Sequence, residues 1–196
     1  MDFYDAPRLA NEFVMLEPLD MSRCDELAAA VAVGDVWRAW YTNVPSPEQM
    51  ADEVRARLEL HASHLKVPWA IVDLLTGRAI GMTTFLNIDR TNRRLEIGST
   101  WLGGAAQGTR INPAAKLLLL SRAFDDLGCM AVEFRTHWHN RQSRAAIEKL
   151  GAKQDGVLRR HTIMANGTVR DTVVYSIIDS EWPAVRCGLQ ERLTVG

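Results

Sequence analysis

Apolar positions recur along the chain in two rhythms, and the points where the rhythm changes mark out the elements. "EFVMLEPL" reads as a short strand, and a helix follows from Ser22 that carries Leu27, Ala28 and Val31. "VWRAWYTNVPSPEQM" is aromatic and irregular. After it Ser46 reads as the N-cap of a second helix with Pro47 at its first position, and Met50, Val54, Leu58 and Leu65 recur on one face of that helix. "WAIVDLL" and "AIGMTTFLNI" pair as a hairpin through Thr76, Gly77 and Arg78. "RRLEIGSTWL" is a further strand, leading through the small-residue turn "GGAAQGT" into the helix "PAAKLLLLSRAFDDLG", which Leu127 and Gly128 terminate. "MAVEFRTHW" alternates as a strand, Asn140 caps the helix "RQSRAAIEKLG", and "HTIMANGTVRDTVVYSII" is a hairpin turning on Asn166 and Gly167. A final helix carries Trp182, Val185, Leu189 and Leu193 on one side.

This order predicts an α/β chain, of the α+β kind, with a mainly antiparallel sheet. Its middle holds one strand-helix-strand-helix unit, which brings two helix N-termini to the same sheet edge. The first helix start presents free backbone N–H groups and the positive end of a helix dipole directly after the small-residue turn, a geometry that suits an anion. The second start has Asn140 with Ser143 three residues on. Taken singly, each reads first as an ordinary turn or cap; the pair at this separation is what favours a ligand.

Composition narrows the ligand. The chain has 196 residues and no repeat or linker, which predicts one domain over 1–196. With 23 basic against 24 acidic residues the formal net charge is -1, so there is no global basic field for non-specific nucleic-acid binding, and an anionic ligand must be held locally. Cys24, Cys129 and Cys187 fit neither a disulfide framework nor a C-x-x-C motif and are expected as reduced thiols. No basic-then-apolar leader opens the chain and no window approaches the roughly 20 apolar residues of a membrane span, so a cytoplasmic protein is expected. His61 and His64 lie three apart with no third ligand type nearby, and no metal site is predicted.

Three segments carry a resemblance: "EIGSTWL" running into "QGTRIN", then "NRQSRAAIEKLGAKQDGVLRRH", then "RDTVVYSI". Over nearly its whole length the chain resembles the GNAT superfamily of acetyl-coenzyme A dependent N-acetyltransferases, in the RimJ/RimL-like branch that acetylates ribosomal-protein N-termini. The resemblance implies a mixed, mostly antiparallel sheet of about seven strands with helices on both faces. It implies acetyl-CoA as cofactor, CoA as product, and direct attack by a primary amine of a peptide N-terminus or a small molecule. The alternative is a non-catalytic acyl-CoA sensor. The family's pyrophosphate loop, Q/R-x-x-G-x-G/A, falls on Gln107, Gly108, Thr109, Arg110, Ile111 and Asn112, with Arg110 and Asn112 in place of the two later glycines. Backbone amides there can still line a pyrophosphate. Arg110 either points outward or adds a contact to a phosphate, and Asn112 is expected as the helix N-cap. Asn140, Ser143, Arg144 and Lys149 are the cofactor-side candidates on the next helix, the two charges being equally readable as solvated.

Direct attack needs no protein nucleophile, and no G-x-S-x-G is present. Strand alternation puts Leu95, Ile97, Ser99 and Trp101 on one face and Glu96, Gly98, Thr100 and Leu102 on the other. Glu96 is the candidate proton acceptor; a structural ion pair with Arg93 or Arg94 is its other reading. Backbone N–H groups of Trp101 and Leu102 are candidate donors to the thioester oxygen. The tyrosine that many family members use to protonate the departing thiolate falls on Ile147 here, which leaves Ser143 and Tyr175 as candidates, Tyr175 competing with a plain core role. Trp37, Trp40 and Tyr41 form an aromatic loop that either covers the acceptor or closes the core. His137 and His139 flank Trp138 at a strand exit, as acceptor-shaping groups or as a surface loop. The hairpin after Asp155 and the carboxyl-terminal helix offer surfaces for a homodimer.

Overall fold

The structure, a computed structural model, describes residues 2–195; Met1 and Gly196, the ends of the expected domain, lie outside the described residues. Eight strands form one sheet: β1 (Leu9–Ala10), β2 (Val14–Pro18), β3 (Val67–Asp73), β4 (Ala79–Asp89), β5 (Arg94–Leu102), β6 (Ala131–His137), β7 (Lys153–Ile163) and β8 (Val169–Ile178). Their order is β1-β2-β3-β4-β5-β6-β8-β7, and among the described residues only the β5/β6 pair is parallel. Five helices interleave with them: α1 (Cys24–Ala32), α2 (Met50–Ala62), α3 (Ile111–Ser121), α4 (Arg141–Glu148) and α5 (Trp182–Val195). The sheet thus has eight strands where about seven were expected; the two-residue β1 is too short to carry a pattern.

Local chemistry starts and stops these elements much as the spacing predicts, with two shifts. Ser22 lies in a short 3-10 turn, its N–H bonded to the Asp20 carboxylate at 2.8 Å, and α1 proper begins at Cys24. Ser46 takes the predicted N-cap position, and the structure adds a capping box with Gln49; α2 ends at Ala62, so Leu65 lies beyond it and is 58% exposed. Gly128 (φ 64°) closes the segment after α3, which passes through one π-helical turn at Arg122–Asp126.

Strand alternation sorts the apolar side chains into two cores. On one face Leu27 and Val31 of α1 and Met50 and Val54 of α2 pack on Ala70, Val72 and Met82. On the other, Leu119 and Leu120 of α3, Ile147 of α4 and Leu189 and Leu193 of α5 pack on Trp69, Phe85, Leu95, Ile97, Phe134 and Tyr175. Each fully buried large side chain contributes about 1.5–3 kcal/mol relative to exposure, so both layers are needed to hold the sheet between them. Among the described residues no helix is long and apolar enough to cross a membrane.

Candidate active site

The parallel pairing of β5 with β6 covers only Arg94, Leu95 and Glu96 against Ala131, Val132 and Glu133. Beyond Glu96 the two strands part, leaving the β6-facing edge of residues 97–102 without a ladder partner. The other edge of β5 carries a bulge: Gly98 faces Thr84 and Trp101 faces Met82, so two residues, Ser99 and Thr100, oppose Thr83 alone. Ser99 holds φ 46° at the bulge. Between the parted strands opens a cleft of about 880 Å³, lined by residues from the sheet, from α2 and from the starts of α3 and α4.

The bulge corrects the expected alternation. Leu95 and Ile97 face the α3 core as predicted, but past Ser99 the parity reverses: Trp101 joins the α1/α2 core and Leu102 joins the α3 core. Thr100 likewise turns toward α3, where its hydroxyl meets Thr83 Oγ1 at 2.8 Å and accepts from Lys116 Nζ at 2.8 Å. Lys116 is buried with no carboxylate partner, and burial pushes its pKa down to about 7. Sequence periodicity misses it, because a lysine on an apolar helix looks like a solvated position.

Glu96 lies 5% exposed in the cleft wall. Asn87 Nδ2 donates to its Oε2 at 2.7 Å, and Arg135 Nε stands 3.5 Å from the same oxygen. The alternative reading, an ion pair with Arg93 or Arg94, is absent from these contacts, since Arg94 bonds Glu133 instead. Burial raises the Glu96 pKa above the usual carboxylate value, opposed by the Asn87 hydrogen bond and the Arg135 charge. Gly98 makes room for it: a Cβ there would lie 2.8 Å from Glu96 Oε1.

At the α3 end, Gln107, Gly108 and Asn112 line the cleft. Gln107 ties the two helix starts together, donating to Leu102 O at 3.1 Å and accepting from Gln142 Nε2 at 3.0 Å. Asn112 lies inside the first turn of α3, so it is not the N-cap; Arg110 holds that position without a side-chain cap, while Thr109 Oγ1 accepts from Ile111 N–H at 3.3 Å. The Arg110 guanidinium sits 5.6 Å from the Phe13 ring centroid, outside the cleft lining. Arg110→Ala is therefore expected to leave the affinity of a ligand held in this cleft within about twofold, as for surface substitutions generally, measured by calorimetry. Part of the small-residue turn answers to packing: a Cβ on Gly103 would stand 2.5 Å from Ala30 O at the end of α1.

At the α4 end, Asn140 caps the helix by accepting from Ser143 N–H at 3.0 Å, and Asn140, Ser143, Ala146, Ile147 and Leu150 all line the cleft. Arg144 and Lys149 do not: Arg144 lies over Trp138, 4.4 Å from its centroid, and bonds the Tyr175 hydroxyl at 3.1 Å. Tyr175 also stands outside the cleft, on the β8 face opposite Glu96, and its hydroxyl donates to Glu148 at 2.8 Å. The phenol that the sequence offers to the thiolate is thus committed to α4.

The aromatic loop divides. Tyr41 lines the cleft, Trp37 packs against the α1/α2 core, and Trp40, half-exposed, stacks edge-on to His137 at 5.2 Å. His137 is buried and lines the cleft; its Nδ1 accepts from His139 N–H at 3.0 Å, so the neutral ring carries its proton on Nε2. Burial, then the Arg170 and His139 charges, lower its pKa. Arg57, Arg135 and Arg170 complete the polar wall. His61 bonds Tyr4 O and His64 stacks on Tyr4, and among the described residues no three His, Cys, Asp or Glu side chains group as a metal site.

Known proteins share this fold. Residues 14–153 match the family model described as the acetyltransferase (GNAT) domain. The "Putative ribosomal N-acetyltransferase YdaF" of Bacillus subtilis (strain 168) is 34% identical over 109 residues, 56% of this chain and 58% of that protein, so the match spans less than two thirds of the relative's length. A GCN5-related N-acetyltransferase from Brucella melitensis superposes with a TM-score of 0.87 at 29% identity, covering 96% of this chain and 86% of that one. A structure described as a "putative acetyltransferase" from T. thermophilus gives 0.84 at 31% identity, with 96% and 98% coverage.

Proposed function

The chain belongs to the GNAT acetyltransferase family, and from that premise we propose that it moves an acetyl group from acetyl-CoA to a primary amine, with Glu96 as proton acceptor. The acceptor is a peptide or protein N-terminus, in keeping with the name of the Bacillus subtilis relative, or a small-molecule amine. The observation that carries the reading is a buried carboxylate of raised pKa in the wall of a cleft that two helix N-termini also line.

The donor set fits the cofactor. Backbone N–H groups at the start of α3, with Gln107, Gly108 and Asn112 alongside, suit a pyrophosphate, and Arg110 leaves that approach open by lying over Phe13. The apolar stretch of Ala146, Ile147 and Leu150 suits a thin, uncharged arm, with Asn140 and Ser143 at its side. When bound, the cofactor supplies an activated acetyl thioester and a thiolate leaving group.

An amine arrives as an ammonium and must lose its proton to attack. Glu96 can take that proton directly or through one water, and its raised pKa makes it a stronger base than a solvated glutamate. On the unpaired edge of β5 the Leu102 N–H is the donor toward the developing oxyanion, since Gly103 N–H bonds Ile80 O on the β4 side and Trp101, two residues back, faces the same way. Ile147 supplies no proton and Tyr175 is committed to Glu148, so the Ser143 hydroxyl in the cleft is the remaining α4 group at the thiolate, which otherwise leaves unprotonated or takes its proton from solvent.

Two measurements test this. Calorimetric titration should show one acetyl-CoA site, and thiol release should then appear on adding a panel of peptide and small-molecule amines. Binding without release from any amine would replace the reading with an acyl-CoA sensor.

A further inference from the structure

Three cleft-lining side chains among the described residues have a buried donor with no partner in the protein, one of them Trp101 through Nε1 on the α1/α2 side. Among the described residues, His137 Nε2 and Arg170 Nε are both buried without a hydrogen-bond acceptor. Both side chains line the cleft. They come from neighbouring strands on one face: His137 on β6 pairs with Thr172 on β8, and Arg170 is two residues along the same strand. Glu96, paired with Glu133 two and four positions from Arg135 and His137, presents to that face as well.

The nearby carboxylates are already engaged. Glu133 bonds Arg94 and Arg135, and Asp171 accepts from Arg159 Nε at 2.6 Å and from Arg160 N–H at 2.7 Å. Glu96 is held by Asn87 and has Arg135 as its nearest cation at 3.5 Å. His137 Nδ1 is occupied by the His139 N–H, which leaves Nε2–H as a donor aimed at nothing. A buried donor without an acceptor forfeits its hydration with nothing in return, so a pair of them on one cleft face calls for an acceptor from outside the chain.

We propose that Arg170 and His137 form an anion-binding end of the acceptor site, so that the amine this protein acetylates carries a carboxylate beside it. A planar guanidinium fork with an adjacent imidazole N–H matches the two oxygens of a carboxylate. Glu96 then meets the ammonium and Arg170 the carboxylate of one acceptor. The inference rests on the acetyltransferase reading of this cleft and adds the acceptor's chemical class. Two sources supply that chemistry: a free amino acid, or a peptide N-terminus with an acidic residue in its first positions.

The test uses matched acceptors in two arms: free amino acids against their amides, and amidated tetrapeptides with aspartate or asparagine second. Thiol release gives kcat/KM with acetyl-CoA, and calorimetry gives the affinity of each compound for the CoA-loaded protein. In one arm or the other the carboxylate member is expected to be favoured by about 10–100-fold, the value of a charge-assisted hydrogen-bond pair. Arg170→Gln should collapse that ratio to about one through KM, with Arg170→Lys restoring part of it as a check on folding. Equal use and equal binding of both members in both arms overturns the inference while leaving the acetyltransferase reading intact, as does an Arg170→Gln change that lowers both members alike. Selective carboxylate binding with no thiol release from any amine has the opposite meaning: the anion site stands and the catalytic reading fails.

Discussion

Glu96→Gln is expected to lower the rate of acetyl transfer by about 10²–10⁴-fold, the usual contribution of a positioned general base, while acetyl-CoA affinity stays close to wild type. The substitution keeps the side chain's shape and its ability to accept from Asn87 Nδ2, so the cleft wall should hold its form. What is lost is the basic oxygen. The pH profile separates this from a structural effect. In the proposed role Glu96 acts as its carboxylate, and burial raises its pKa. Activity should therefore rise with pH through an apparent pKa above the ordinary carboxylate range, falling off below it as Glu96 protonates. In Glu96→Gln that acid limb should vanish along with the rate. A variant with unchanged rate, or a lowered rate with the same acid limb, would assign the proton to another group.

Why Glu96 is legible in sequence while its surroundings are not follows from the range of the forces involved. A strand of alternating pattern fixes which residues share a face locally, and "RRLEIGSTWL" does so as far as Gly98. The bulge at Ser99 then adds one residue and reverses the parity, because its backbone takes φ 46° against the pattern of its own sequence. No side chain in that stretch announces it. Helix starts are readable for the same local reason: Ser46 with Gln49, and Asn140 with Ser143, are caps made within three residues. The direction of Arg110 depends instead on Phe13, a residue far away in sequence that only the fold brings beneath it. Arg170, Arg57 and Gln142 escape a sequence reading because only the fold brings them to the cleft. The alternative of an Arg94 partner for Glu96 falls on similar grounds, since β5/β6 pairing hands Arg94 to Glu133.

Lys116 gives the second large effect, on stability. Its pKa is about 7 in the folded protein and about 10.4 in an unfolded chain, so between those values the unfolded state binds one more proton. Stability therefore rises with pH across that window by about 1.4 kcal/mol per pH unit from this group alone, and the penalty is complete below pH 7, where the folded chain must keep an ammonium out of water. Lys116→Met retains the length and apolar stem of the side chain while removing the charge. Thr100 keeps Thr83 as a hydrogen-bond partner. At pH 6 the variant is expected to be more stable than wild type by about 1–4 kcal/mol, the range seen when buried charges give way to apolar residues of like volume. Urea unfolding at a series of pH values checks it: the gap between variant and wild type should narrow steadily from pH 7 to pH 9. A gap that stays constant would mean that Lys116 is not titrating in this window. A variant less stable at every pH would mean that the Lys116 bond to Thr100 holds the bulge, and with it the cleft, more strongly than burial of the charge opposes it.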